Sequence, residues 1–77
     1  MDDLRRVEIT VDKVRDLVLP AAADYPSTRG RGDGTCCDGC GHGIDIQEEA
    51  LAVCVGGLLI LVFHEVCYGA WRGFTAA

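Results

Sequence analysis

Basic residues are scarce in this chain. Its 77 residues include seven Lys and Arg against twelve Asp and Glu, which gives a formal net charge of −5 at pH 7. Because no overall positive field would attract a phosphate backbone, we do not expect the chain to bind nucleic acid. The length also excludes most self-sufficient enzyme folds, so we expect one small domain without catalytic activity.

The sequence also lacks an apolar run long enough to cross a bilayer as a helix. The longest run, residues 50–63, has a glycine pair at its middle, and a spanning helix needs about 20 residues. A small membrane-inserted protein that uses residues 50–71 is kept as the alternative. The N-terminus has no basic region followed by an apolar core, so it does not predict a signal peptide, and we expect a cytoplasmic location.

Cysteine, by contrast, is abundant, with five in the chain. A domain this short seldom gains enough stability from apolar burial alone and usually needs disulfides, a metal or a partner. An odd number of cysteines cannot all pair with one another, and structural disulfides are rare in the cytosol. The cysteines therefore favour metal ligation.

Two pairs of residues have the types and spacing of metal ligands. Cys37 and Cys40 form a C-x-x-C knuckle, in which an intervening glycine permits a tight turn. His64 and Cys67 form an H-x-x-C pair at a predicted strand–helix junction, where residues three apart lie on one side of a helical turn. Together the two pairs predict a closed tetrahedral site for structural Zn²⁺.

Other cysteines and histidines compete for the same roles. Cys36 could replace Cys37, which would give a C-x-x-x-C spacing, and His42 could replace His64. Cys54 is predicted to be a small buried hydrophobe outside the site, since the expected hairpin gives it the opposite strand parity to His64.

The order of these pairs resembles that of treble-clef zinc fingers. Residues 37–41 read CDGCG, residues 63–68 read FHEVCY, and a hairpin is predicted between them. This is similar to the first zinc half of a LIM-type domain. The resemblance covers residues 36–74 and implies a knuckle, a β-hairpin and a C-terminal helix around Zn²⁺. A LIM domain continues with a second zinc half, and no cysteine follows Cys67, so a complete LIM domain is excluded.

A glycine pair at 56–57 predicts the hairpin. A two-residue Gly-Gly turn would place Val55 opposite Leu58 and Val53 opposite Ile60. Both faces of such a ribbon would be apolar. One face could be covered by the N-terminal helix, and the other face requires the C-terminal helix, a second copy of the chain or a different protein.

The remaining elements complete a predicted small, zinc-stabilised α+β fold of treble-clef-like form. Residues 7–9 predict a short strand or extended lead-in. A helix capped by Thr10 and ending near Leu19 is predicted to pack on the zinc-binding half. Residues 24–35, which are rich in Gly and Arg, predict a flexible loop. Residues 65–74 predict a short C-terminal helix.

Three segments follow from these elements: 1–23 for the N-terminal strand and helix, 24–35 for the loop, and 36–77 for the zinc-binding knuckle, hairpin and helix. They predict a small non-catalytic zinc-binding protein that acts as a protein-interaction, regulatory or inhibitory module. The acidic composition favours a protein partner with a basic surface, and the spare apolar face favours a homo-oligomer. A thioredoxin-like redox role for the C-x-x-C pair is disfavoured, because that motif requires a βαβ setting.

Overall fold

The described part of the chain folds into two helices and a three-stranded antiparallel sheet. The computed structural model describes residues 3–16, 18–20, 25–57 and 59–76, without the side chains of the last three. The elements are α1 (Asp3–Arg15), β1 (Ser27–Arg31), β2 (Glu49–Val55), β3 (Leu59–His64) and α2 (Glu65–Ala76). The strand order is β1-β2-β3. Helix α2 packs on β2 and β3, and α1 packs on α2. The predicted α+β fold is confirmed, including its hairpin and C-terminal helix.

Helix α1 begins earlier than the sequence predicts. Its inward stripe recurs at helical spacing and comprises Val7, Thr10, Val11 and Val14. Thr10 is fully buried inside the helix, where its hydroxyl donates a 2.8 Å hydrogen bond to the Arg6 carbonyl oxygen. The predicted extended segment at residues 7–9 and the predicted Thr10 cap are therefore wrong. Because Thr10 is polar, it interrupts the apolar pattern of this stripe in the sequence.

Helix α1 also ends earlier, at Arg15 rather than near Leu19. The amides of Val18 and Leu19 both donate to the Lys13 carbonyl oxygen, at 2.8 and 3.1 Å, so the chain turns here. Pro20 follows and disfavours a helical conformation of the residue before it. Leu19 is buried and packs in the core after the turn.

The segment predicted as a flexible loop contains strand β1. Arg29 pairs with Leu51 of β2, and Gly30 pairs with Ala50. The Arg29 side chain also forms an ion pair with Glu49. Every residue of β1 is exposed. Pairing with β2 therefore stabilises this strand, and its composition alone does not predict a strand. The loop prediction is therefore wrong for Ser27–Arg31, and residues 21–24 lie outside the described part of the chain.

The β2–β3 hairpin forms where it was predicted, but its register differs by one residue. Val55 pairs with Leu59, and Val53 pairs with Leu61. The turn is therefore one residue longer than a two-residue Gly-Gly turn, although both of its glycines have positive φ, 64° and 78°. The predicted pairing of Val55 with Leu58 is wrong, and Leu58 itself lies outside the described residues.

The observed register decides which apolar side chains form the core. The face covered by α2 carries four residues that are at most 6% exposed: Leu51, Val53, Leu61 and Phe63. Cys54 pairs with Ile60 on the opposite face, where both are exposed. The prediction that Cys54 is a buried hydrophobe is wrong. Cys54 also lies on the same face of the hairpin as His64, so the predicted reason for excluding Cys54 from the site is wrong.

Trp71 of α2 lies at the centre of the core and is 1% exposed. Its ring stacks on Phe63 with centroids 5.0 Å apart, and on Tyr25 with centroids 6.3 Å apart. Its indole N–H donates a 2.7 Å hydrogen bond to the Pro20 carbonyl oxygen. Trp71 thus joins α2 both to the sheet and to the segment after α1.

The apolar run at residues 50–63, on which the membrane alternative depended, forms strands instead of a helix. Neither helix in the described part of the chain is long and apolar enough to cross a membrane.

Candidate metal centre

The structure brings the four predicted ligands to one point. Their ligand atoms all lie within 4.8 Å of one another, and all four residues are buried: Cys37, Cys40, His64 and Cys67. The knuckle supplies two thiols. The end of β3 supplies the imidazole, and the first turn of α2 supplies the third thiol.

The spacing of these atoms fits one Zn²⁺ ion. The Nδ1 atom of His64 lies 3.4 Å from the Cys40 Sγ and 4.0 Å from the Cys67 Sγ. Zinc bonds of about 2.3 Å to sulfur and about 2.0 Å to nitrogen place tetrahedral ligands about 3.6 Å apart. Three sulfurs and one imidazole are also a donor set typical of structural zinc. The centre therefore matches the predicted zinc cofactor.

The two competing residues lie outside this ligand cluster. The side chains of Cys36 and His42 are exposed. Cys36 forms an isolated bridge with Gly43, and the His42 carbonyl oxygen accepts a 2.8 Å hydrogen bond from the Cys37 amide. Both residues therefore shape the knuckle through their backbones. The geometry favours Cys37 and His64 as the ligands.

Asp38 fastens the knuckle to the edge of β3. Its amide donates to the Val62 carbonyl oxygen at 2.7 Å, and its Oδ2 accepts a 2.7 Å hydrogen bond from the Val62 amide. Sequence reasoning missed this role because Asp38 occupies an unspecified position of the C-x-x-C motif. No local signal distinguishes it from a solvent-exposed spacer.

The Cys37 sulfur is surrounded by hydrogen-bond donors. A hydrogen bond from the Cys67 thiol, helped by the backbone amides of His64 and Gly39, lowers the pKa of Cys37 to about 4 although burial opposes this. The same bond holds the proton on Cys67 and, together with burial, raises the pKa of Cys67. The surroundings of Cys37 thus favour the charged thiolate, which is the form of cysteine that binds a cation.

Position 39 requires glycine because a larger residue would not fit there, and not because its backbone conformation is unusual. The glycine of the knuckle with positive φ is Gly41, at 83°. A Cβ atom on Gly39 would lie 2.5 Å from the Thr10 Oγ1 and 2.9 Å from the Cys67 Cβ. The predicted reason for this glycine, a tight turn, is therefore replaced by the close approach of both helices to the knuckle.

Replacement of Gly39 by Ala is expected to destabilise the zinc-loaded protein by about 1–3 kcal/mol, because the added methyl group forces α1 or α2 to shift. Urea denaturation followed by circular dichroism would measure the loss. Gly30→Ala is the matched control, since a Cβ atom there meets nothing within 4 Å. Equal stability of the two variants would contradict the close packing at Gly39.

Comparisons with protein-family models, curated proteins and solved structures give no significant match. The assignment of the centre therefore rests on its own geometry.

Proposed function

We propose that this chain is a small, non-catalytic zinc-binding module that works by contacting another protein. The observation that carries the proposal is the closed set of four buried ligands. Four protein ligands fill the tetrahedron of Zn²⁺ and leave no coordination position for water or substrate. The role of the ion is then to hold the fold together.

The order of the elements supports a treble-clef relationship. A knuckle contributes two ligands, a hairpin follows it, and a helix begins directly after His64 and contributes Cys67. Helix α1 and strand β1 are additions to this arrangement. Because the resemblance covers only one zinc half, the partner preferences of LIM domains are not carried over to this chain.

The surface supports a role in protein contacts. The net charge of −5 favours a partner with a basic surface. At the end of the hairpin, Leu59 and Ile60 are 49% and 62% exposed, and apolar side chains in this position gain stability when a partner covers them. The module would act as a regulator, adaptor or inhibitor, since its metal is committed to structure. A second copy of the chain could cover the same apolar residues.

Native mass spectrometry of the purified protein tests the proposal, since it reads bound metal and subunit number together. We expect one zinc ion per chain. The same sample sprayed from acid is the control and should give the mass of the bare chain, because protonated thiols release the metal. A folded protein without zinc would contradict the proposal. A complex of two chains would identify a second copy as a partner, and a single chain would direct the search to a different protein.

A further inference from the structure

His64 has a second ring nitrogen that the ligand cluster does not use. The Nε2 atom is buried and has no hydrogen-bond partner in the described part of the chain. Its nearest ionic neighbour is the Glu48 carboxylate, whose Oε1 lies 3.5 Å away. If Nδ1 binds the metal, the proton of the neutral imidazole must reside on Nε2, and this N–H needs an acceptor.

Glu48 is held in place to serve as that acceptor. Its Oε1 accepts a 3.1 Å hydrogen bond from the Asp45 amide, and its Oε2 accepts a 3.2 Å hydrogen bond from Arg6 of helix α1. The backbone is fixed as well, since the Glu48 carbonyl oxygen accepts a 2.9 Å hydrogen bond from the Gly32 amide. Two hydrogen bonds therefore hold the carboxylate beside His64, and a third holds the backbone of the same residue.

Helix α1 reaches the metal centre at further points. The Lys13 ammonium group donates a 3.2 Å hydrogen bond to the Asp38 carbonyl oxygen in the knuckle. Thr10 lies against Gly39, as described above. The contact between Arg6 and Glu48 is thus one of several that connect α1 to the residues around the ligands.

We infer that Glu48 is a positioning residue for the metal centre, which accepts the Nε2–H of His64 and, through Arg6, connects helix α1 to the bound ion. The inference rests on the proposed zinc centre and adds a residue that no ligand motif contains. Carboxylates that orient a metal-bound histidine in this way fix its ring and increase its basicity. Because coupling between two sites is reciprocal, zinc binding should also favour the docked position of α1.

Zinc affinity, measured by competition with a chromophoric chelator, tests the role of Glu48. Glu48→Met keeps the length of the side chain without the carboxylate and should weaken zinc binding about 10–100-fold. Glu48→Gln retains an oxygen acceptor and should restore most of the affinity. Glu49→Met is the matched control, because Glu49 is exposed and forms its ion pair with Arg29 on β1; its affinity should equal that of the wild type.

Substitution of Co²⁺ for Zn²⁺ separates positioning from simple structural support. In Glu48→Met the visible ligand-field bands should shift, because the imidazole is no longer oriented, while the sulfur-to-cobalt charge-transfer band persists. Wild-type bands and wild-type affinity in Glu48→Met, or equal losses in the Met and Gln variants, would overturn the inference. If Glu48→Met does not fold, ¹⁵N-edited NMR of the zinc-loaded wild type decides: a His64 Nε2 proton shifted downfield by a hydrogen bond to a carboxylate supports the inference, and a Nε2 proton without that shift overturns it.

Failure of the inference and failure of the proposed function give different results. A wild-type protein that binds neither ion would overturn the zinc module itself. A wild-type protein that binds zinc, with Glu48 variants that bind it equally well, would overturn only the role of Glu48.

Discussion

Removal of zinc is expected to unfold this protein. Structural zinc contributes about 10–16 kcal/mol in comparable sites at pH 7, which is as large as the whole stability of a small domain, about 5–15 kcal/mol. The ion also joins the knuckle to the start of α2, two parts far apart in the sequence. Addition of excess chelator should abolish the helical circular dichroism signal, and excess zinc should restore it. A spectrum that chelation leaves unchanged would contradict a structural role for the metal.

The same effect is expected from the loss of a single ligand. Cys37→Ser should prevent tight zinc binding and folding at micromolar zinc, since a serine hydroxyl is a poor substitute for the thiolate. Cys36→Ser is the matched control, because it makes the same change in the adjacent residue, whose side chain is exposed. The opposite result, with Cys36 required and Cys37 dispensable, would show that the knuckle uses the C-x-x-x-C spacing.

Truncation of Trp71 to Ala should cost the zinc-loaded protein about 3–5 kcal/mol, the range for large aromatic residues in a core. The side chain is almost fully buried, stacks on Phe63 and Tyr25, and satisfies the Pro20 carbonyl oxygen. Urea denaturation should be followed by circular dichroism, because the substitution removes the only tryptophan and with it the usual fluorescence signal.

A milder substitution of Trp71 and a control at an exposed position complete this test. Trp71→Phe keeps an aromatic ring but loses the N–H, so it should cost less than Trp71→Ala. Leu4→Ala changes a side chain that is 69% exposed, and its effect should stay within about 0.5 kcal/mol. If Trp71→Ala reduced the free energy of unfolding no more than Leu4→Ala does, the position of Trp71 in the core would be contradicted.

The metal centre could be predicted from the sequence because its information is local. A C-x-x-C pair and an H-x-x-C pair each fix two ligands within one turn of backbone. Spacing alone leaves both Cys36 and Cys37 as candidate ligands, and the structure distinguishes them because Cys37 is buried and Cys36 is exposed. The glycine pair likewise located the hairpin turn correctly.

Features that depend on pairing or on distant contacts were not predictable in this way. One additional turn residue moves every side chain of a strand to the opposite face, and this places Cys54 on the same face as His64 instead of the opposite one. Strand β1 exists because β2 is beside it, and its Gly- and Arg-rich composition gives no strand signal. Glu48 acquires its role only when the fold brings the start of β2, helix α1 and the end of β3 together.

Helix α1 packs on α2, the only helix or strand with which it shares substantial contact in the described part of the chain. All three strands lie between these two helices in the sequence, so the contact between α1 and α2 joins segments that are far apart along the chain. The apolar stripe of α1 therefore stays largely uncovered until α2 has formed. Contacts of such high sequence separation are slow to form, so the docking of α1 is expected to be a late step in the folding of this domain.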